Sequence, residues 1–340
     1  MQKSPLKRFL AKNGVASVLT AYVGVIVLMI VFTFLNPNFI KWNSIVTLLR
    51  TIVPFLLVGI GQAYVCITGN IDLSIGSVVG MSAMMSATLM CNGMNPILAV
   101  LITMVASMMV GLVNGLLVGK AKLPPFIGTL GTMTIARGVA QLVNGNYNTD
   151  NIGSEGAVQV FKDVLYYGKT LGIYNGVWIA LAIWVVFYFI LSFTRSGRHI
   201  YAIGSNVDAA RLSGVNVFTT TTKAYLVSAF CAGITGLITM AQSGMGDMSA
   251  GMSYEMYAVA AAVIGGVSTL GGSGLLPGVI AGAAVWAILQ TGLTFANVPV
   301  ALRNIIIGLI VVACVLFDVL RRNGNHKVKT EKKAAAPAAK

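Results

Sequence analysis

Side chains suited to covalent chemistry are few and scattered in this sequence. The two histidines, His199 and His326, have neither a nucleophile nor a set of metal ligands beside them. The four cysteines show no CxxC spacing, which argues against a metal or disulfide role. The segment Gly119-Lys120-Ala121 lacks the upstream glycine and the hydroxyl of a phosphate-binding loop. The sequence therefore predicts no catalytic residue, no metal site and no nucleotide site, and the chain is not expected to be an enzyme.

Three charged residues lie within or beside long apolar segments, namely Asp72, Arg137 and Glu255. An ionised side chain at bilayer depth is costly unless it is paired or hydrated, so each is a candidate pathway or gating residue. Asp72 could instead cap the following helix by accepting the N–H groups of Ser74 and Ile75, and we favour the cap.

Asn70 and Ser74 are also pathway candidates, because they flank Asp72 in one polar stretch. Arg137 could pair with a carbonyl or carboxylate in a helix bundle, snorkel outward or contact a solute hydroxyl. We favour structural pairing for Arg137.

The elements that must position these residues are membrane helices. The chain of 340 residues is 56% hydrophobic and only 9% charged, whereas a soluble domain has about 25% charged residues. Apolar runs long enough to cross the bilayer recur throughout. We predict an all-α polytopic bundle of about ten transmembrane helices, some of them broken or re-entrant. The predicted spans lie near 15–35, 51–68, 73–91, 96–118, 124–144, 176–193, 224–242, 255–270, 275–296 and 300–320.

Glycine spacing predicts where helices pack closely or break. Gly76 and Gly80 form one small-residue face, and Gly274, Gly278 and Gly282 form another on the ninth span. Gly265 and Gly266 interrupt the segment before it, which predicts a short helix, a bend and a new helix. A hinge at this bend and plain tight packing both remain open.

The distribution of Lys and Arg predicts the orientation. With ten spans both termini face the same side, and that side collects most of the basic residues, so it is assigned to the cytoplasm. The predicted organisation is a basic cytoplasmic N-terminus 1–14, a transmembrane domain 15–320 and a basic tail 321–340 that is expected to be disordered and to contact lipid headgroups. The net charge of +14 reflects this topology, and no nucleic-acid partner is expected.

The polar segment 197–216 lies on the predicted cytoplasmic side and contains a helix with both ends specified. Ser205 or Asn206 can cap its start, with Asp208 in the first turn. Arg211 falls in the last turn and Gly214 follows as a left-handed residue. The segment is either a docking element or an ordered loop. The loop 145–174, on the opposite side, could receive an external protein or simply be solvated.

Four long phrases in this chain resemble one family. They are "YAIGSNVDAARLSGVNV" at 201–217, "TGNIDLSIGSVVG" at 68–80, "LPPFIGTLGTMTIARG" at 123–138 and "YEMYAVAAAVIGGVSTLGGSG" at 254–274. Together they resemble the permease subunits of ribose- and galactose-type ABC importers, bacterial proteins for monosaccharide uptake. Asn70 stands where a second glycine is usual, and Tyr257 where an aspartate is usual.

The resemblance implies a bacterial inner-membrane permease that forms the pathway for a simple sugar. It implies a second permease copy, a cytoplasmic ATPase subunit that holds ATP and Mg²⁺, and an external sugar-binding protein, with no cofactor in this chain. The residues implied to dock the ATPase are Asn206, Asp208, Ala209, Ala210, Arg211, Leu212 and Gly214. An ion-gradient-driven secondary transporter is the alternative, and a scaffold without transport is a weaker one because so many spans are broken.

Overall fold

Apolar helices make up nearly all of the regular structure. The computed structural model describes residues 15–303 together with 305, 306, 308–310, 312 and 316. The predicted N-terminal segment 1–14, the tail 321–340 and much of the tenth predicted span therefore lie outside the described residues.

Twelve α-helices and one short hairpin occur in order along residues 15–296, a 3-10 helix at Pro37–Ile40 precedes the second of them, and a further helix begins at Val300. The helices are α1 Val15–Leu35, α2 Trp42–Ile67, α3 Ile75–Cys91, α4 Pro96–Gly115, α5 Pro125–Leu142, α6 Gly156–Lys162, α7 Asn175–Phe193, α8 Arg195–Ser205, α9 Val207–Leu212, α10 Val217–Ser243, α11 Tyr254–Ile264 and α12 Leu276–Phe295. Wider helical turns, Leu116–Lys120 and Asp163–Tyr167, extend α4 and α6. The antiparallel strands β1 Lys169–Thr170 and β2 Ile173–Tyr174 pair Lys169 with Tyr174.

Six of the described helices, α1, α2, α4 with its wider turn, α7, α10 and α12, are long and apolar enough to cross a membrane. The predicted all-α polytopic class is therefore confirmed. The second and seventh spans were predicted to begin too late, because α2 starts at Trp42 and α10 at Val217. Hydropathy misses these polar first turns, which are helical but not apolar.

The eighth predicted span, 255–270, is wrong as a continuous crossing. Helix α11 ends at Ile264, so its 11 residues cover about 16 Å, roughly half the hydrocarbon thickness. The non-helical segment 244–253 precedes α11 and a glycine-rich loop, 265–275, follows it. Backbone of this kind is stable at membrane depth only where protein or water covers it.

The interior of the bundle is built around α2, α10 and α12. Helix α10 packs against α2, α3 and α4, and α12 packs against α1, α2 and α11. Large side chains such as Tyr64, Tyr225 and Trp286 are fully buried between them. Helices α1 and α7 bury few side chains and expose most of their apolar surface, as expected for helices that face lipid.

Candidate functional site

Asp72 lies in the extended linker between α2 and α3 and is only 2% exposed. Its Oδ1 accepts hydrogen bonds from the backbone N–H of Ser74 at 2.9 Å and from the Ser74 hydroxyl at 2.6 Å. Its Oδ2 accepts one from the hydroxyl of Ser228 on α10 at 2.7 Å. Both carboxylate oxygens therefore have close donors, as a buried carboxylate requires.

The predicted cap at Asp72 needs correction. Helix α3 begins at Ile75, so the N-cap position belongs to Ser74, which makes no side-chain capping bond. Asp72 holds the turn before the helix through the N–H of Ser74, as an Asx turn does. The bond to Ser228 adds a tertiary function that a cap does not have, because it joins the linker to α10.

Two further polar residues extend this network into α4 and α5. The amide of Asn114 donates to the Ser74 hydroxyl at 2.9 Å, and the Thr132 hydroxyl donates to Oδ1 of Asn114 at 2.6 Å. Asn114 is fully buried and Thr132 nearly so. Asp72 and Ser74 thus lie in a closed network that ties the start of α3 to α4, α5 and α10, and neither lines an open cavity in this conformation.

Arg137 on α5 binds backbone carbonyls. Its Nη1 donates to the carbonyls of Met248 at 3.0 Å and Ala250 at 2.8 Å, and Nη2 donates to that of Gly76 at 3.4 Å. The first two carbonyls belong to the non-helical segment 244–253, whose groups no helix satisfies. The geometry fits the predicted structural pairing, since Arg137 fastens this segment to α3 and α5.

Gly76 and Gly80 explain how the segment 244–253 approaches α3 so closely. A Cβ at Gly80 would lie 2.6 Å from the carbonyl oxygen of Ala250, and one at Gly76 would overlap the carbonyl of Gly251 and the carboxylate of Glu255. Their small-residue face therefore packs on the non-helical segment 244–253 and on the first turn of α11. Glu255, in the first turn of α11, lies at this contact.

The predicted break between short and long helices occurs after Gly265. Gly266 has φ +84° and ends α11 in the left-handed region. Gly278 meets the backbone of Gly265, and Gly282 that of Ala261, so both permit α12 to pack directly on α11. Gly274 was wrongly predicted to share that face: it precedes α12, which begins at Leu276.

The predicted cytoplasmic helix is present as α9. Asn206 is the N-cap, and its Oδ1 accepts the N–H of Ala209 at 2.9 Å. Asp208 and Arg211 form an exposed ion pair at 3.4 Å, and Gly214 has φ +81°. Ala210 is buried, whereas Leu212 is 89% exposed. Of the two candidate caps, Asn206 is therefore the correct one, and α9 presents an unpartnered leucine at its end.

Sequence reasoning missed the preceding helix, α8, which attaches α9 to the bundle. The Tyr201 hydroxyl donates to the Gly274 carbonyl at 2.7 Å, and the N–H of Gly272 donates to the carbonyl of Ile67 at 2.9 Å. Gly204 packs directly on both Ile67 and Gly272. Helix α8 thus contacts the end of α2 and the α11–α12 loop together. Buried Ile200 and Ile203, three residues apart, were the available signal.

A cavity of about 980 Å³ lies beside α9. It is lined by the linker after α2, by the turn after α4 and by α9 itself, including Asn70, Lys122, Asn206 and Arg211. Asn70 donates to the Thr68 hydroxyl at 2.8 Å. Among the residues predicted for the pathway, Asn70 is therefore exposed to open space, unlike its neighbours Asp72 and Ser74.

The loop 145–174, which the sequence predicts to face outward, is attached by hydrogen bonds to the non-helical segment 244–253. Thr149 exchanges two hydrogen bonds with Gly246, at 3.0 and 2.8 Å, and Ile152 donates to the Gly244 carbonyl at 2.9 Å. Lys162 is buried and its Nζ donates to the Ser154 hydroxyl at 2.9 Å. A force on this loop would therefore reach the segment that Arg137 holds.

Comparison with known proteins gives one consistent result. A family model described as "Branched-chain amino acid transport system / permease component" matches residues 44–315. The ribose import permease protein RbsC of Bacillus subtilis (strain 168) is 32% identical over 306 residues, covering 90% of this chain and 94% of the relative. The D-allose transport system permease protein AlsC of Escherichia coli (strain K12) is 32% identical, covering 86% and 88%.

A third relative has a different named cargo. The autoinducer 2 import system permease protein LsrC of Escherichia coli O9:H4 (strain HS) is 29% identical, covering 88% of this chain and 86% of the relative. No solved structure matches the chain.

Proposed function

The chain belongs to the family of branched-chain amino acid transport system permease components and is the permease subunit of an ABC importer, and from that premise we propose that its cargo is a simple sugar. The observation that carries the proposal is the similarity to ribose and allose permeases along about nine-tenths of the chain. An ion-gradient-driven transporter, the alternative from the sequence, does not account for that similarity.

The proposed assembly has three kinds of part. Two copies of this chain form the pathway within the bilayer, a cytoplasmic ATPase holds ATP and Mg²⁺, and an external binding protein delivers the sugar. The chain itself holds no cofactor and does no covalent chemistry. Helix α9 is suited to contact the ATPase in this assembly, because it is short, capped and exposed beside the 980 Å³ cavity.

Sugar uptake should depend on all of these parts. In proteoliposomes that contain the permease and its ATPase, with ATP on the ATPase side and the binding protein on the other, radiolabelled D-ribose or D-allose should accumulate. Vesicles without the ATPase, or with a non-hydrolysable ATP analogue, are the controls and should not accumulate sugar. Uptake by the permease alone under a proton or sodium gradient would contradict the proposal.

We further propose that α9 and both termini face the cytoplasm, with the loop 145–174 outside. The motivation is the Lys/Arg bias of the whole sequence when successive spans alternate across the membrane. The side opposite α9 then takes only Lys41, Arg50, Lys162, Lys169 and Arg303, whereas the α9 side takes the basic terminal segments 1–14 and 321–340 together with Lys120, Lys122, Arg195, Arg198, Arg211 and Lys223.

Labelling of single cysteines tests this orientation. A membrane-impermeant maleimide added outside intact cells should label Asn151→Cys but not Asp208→Cys, although both positions are exposed. The background needs Cys91→Ser and Cys314→Ser, because Cys91 is exposed and Cys314 lies outside the described residues, while Cys66 and Cys231 are buried. Asp208 is preferred to Asn206, which caps α9. After permeabilisation both variants should react, and the reverse pattern in intact cells would refute the orientation.

A further inference from the structure

A second cavity, of about 170 Å³, lies among α2, α10, α11 and α12 on the side of the outward loop. We call it the outer vestibule. Its aromatic and polar lining includes Phe55, Thr239, Gln242, Tyr254, Tyr257 and Gln290. Tyr166, in the helical turn Asp163–Tyr167 of the loop 145–174, also lines it. The vestibule therefore lies next to the loop that could receive the binding protein.

Aromatic rings form one wall of the outer vestibule. The ring of Phe55 lies 6.1 Å from that of Tyr254 and 5.7 Å from that of Tyr257, and the two tyrosine rings are 5.6 Å apart. Trp286 packs behind Tyr257 at 4.7 Å and is buried. The tyrosines are half-buried, so their rings are held by packing while part of each remains accessible. Such a wall offers a rigid, apolar surface with polar edges.

Polar side chains complete the lining. Gln242 and Gln290 are exposed, and within the described residues their side-chain amides make no hydrogen bond. Each amide offers two donors and an acceptor. Free amides in the same lining as aromatic rings are unsuited to a lipid acyl chain, which cannot satisfy them, but they suit a molecule that has hydroxyls at its rim and C–H groups on its face.

The charge of the lining favours a neutral ligand. No carboxylate lines the outer vestibule, so nothing there would hold a cation. Arg50 does line it, but its guanidinium lies 4.3 Å from the ring centroid of Tyr166 and 3.9 Å from that of Tyr174. Two rings therefore already share this positive charge, and Arg50 braces the outward loop against α2.

We propose that the outer vestibule of each permease copy is a binding subsite for a neutral monosaccharide. The C–H face of the sugar ring lies on Tyr254 and Tyr257, and its hydroxyls bond to Gln242 and Gln290. Tyr257 is one of the two positions where the sequence departs from the phrases that it resembles, so this wall is a feature of this chain. The inference rests on the proposed function and adds a contact site within the permease.

Saturation-transfer NMR measures such weak binding directly. The permease with its ATPase, in lipid nanodiscs and without the binding protein, is irradiated in the aromatic region while D-ribose is the probe. Wild-type protein and Tyr257→Phe should transfer saturation to the sugar C–H protons. Tyr257→Leu, which removes the ring, should reduce the transfer roughly fivefold. Tyr147→Leu is the matched control, because Tyr147 is 74% exposed on the outward loop, and it should leave the transfer unchanged.

A second variant keeps the test decisive if Tyr257→Leu fails to fold. Gln290 is exposed on α12, so Gln290→Leu should fold normally, and it should reduce saturation transfer roughly threefold through one lost hydrogen bond. Equal transfer in the wild type, Gln290→Leu and any folded Tyr257→Leu would overturn the proposal. Absence of transfer in the wild type would overturn it as well.

Uptake assays on the same preparations separate this inference from the proposed function. If wild-type proteoliposomes supplied with binding protein and ATP take up no sugar, the proposed function fails. If they take up sugar but the vestibule variants bind and transport it like the wild type, the vestibule proposal alone fails.

Discussion

Asp72→Ala should lower the free energy of unfolding by roughly 2–4 kcal/mol, and Asp72→Asn should retain most of the wild-type stability. The alanine variant loses three close bonds, from the Ser74 N–H, the Ser74 hydroxyl and the Ser228 hydroxyl. It also leaves those donors in a site with almost no solvent. The loss should exceed that of a simple helix cap, which is about 1 kcal/mol.

Asparagine can reproduce the same pattern without a charge. Its Oδ1 can accept the N–H and hydroxyl of Ser74, and its amide can donate to the Ser228 oxygen, because a hydroxyl can reverse its role. The network that extends through Asn114 to Thr132 then stays closed. If Asp72 is structural, Asp72→Asn should therefore keep most of the sugar uptake.

Thermal unfolding in detergent and ATP-driven uptake, normalised to folded permease, check both expectations. Asn70→Ala is the matched control, since Asn70 is two residues away and its side chain bonds only to Thr68 within the described residues; its unfolding should shift far less. A stable Asp72→Asn protein that fails to transport would show that the charge itself is needed. Asp72 would then be a pathway residue that this conformation hides.

The sequence predicted the helices better than their interruptions. Hydropathy located α1, α4, α7 and α12 to within a few residues, because the hydrocarbon thickness sets the length of an apolar helix that crosses it. It extended the eighth span through Gly265 and Gly266 because that stretch is also apolar. Helix α11 ends where Gly266 adopts φ +84° and Gly265 lies against Gly278. The glycine pair predicted this break, but a hydropathy window records neither the backbone conformation nor the tertiary contact.

The candidate site shows the same limit. Local spacing identified Asp72, Arg137 and the ends of α9, where the bonds span a few residues. It could not identify Ser228 as the partner of Asp72, 156 residues away, or the carbonyls near residue 250 as the partners of Arg137. Charge and burial showed that these side chains need partners, whereas only the packing of α5 and α10 shows which partners they have.

These contacts suggest how motion at the ATPase could reach the pathway. Helix α9 follows α8 directly, and α8 touches the carbonyl of Ile67 and the loop at Gly272 through Gly204. Ile67 is the last residue of α2, and the Asp72 linker follows it. A displacement of α8 would therefore move the end of α2 and the loop before α12 together, and the short helix α11 packs against both α2 and α12.

Leu212→Asp should weaken association of the ATPase roughly 30-fold while leaving the permease folded. Leu212 is 89% exposed at the end of α9, so an exposed substitution there should change permease stability by no more than about 0.5 kcal/mol. An apolar side chain at the centre of an interface can contribute about 2 kcal/mol, which corresponds to roughly 30-fold in affinity. Co-purification of the ATPase with tagged permease measures the loss. Leu171→Asp is the control, because Leu171 is 86% exposed on the outward loop.

Gly214→Val tests whether the shape of α9 matters as well as its surface. Gly214 has φ +81° and no atom near an added Cβ, and Gly93 on the opposite side has the same φ and the same empty surroundings. Valine should therefore introduce about 1–3 kcal/mol of backbone strain at either position, and Gly93→Val and Gly214→Val should lose similar amounts of stability. Only Gly214→Val distorts the end of α9, so only that variant should lose the ATPase. If the ATPase co-purifies at wild-type levels with both Leu212→Asp and Gly214→Val, α9 is merely an ordered connection between α8 and α10.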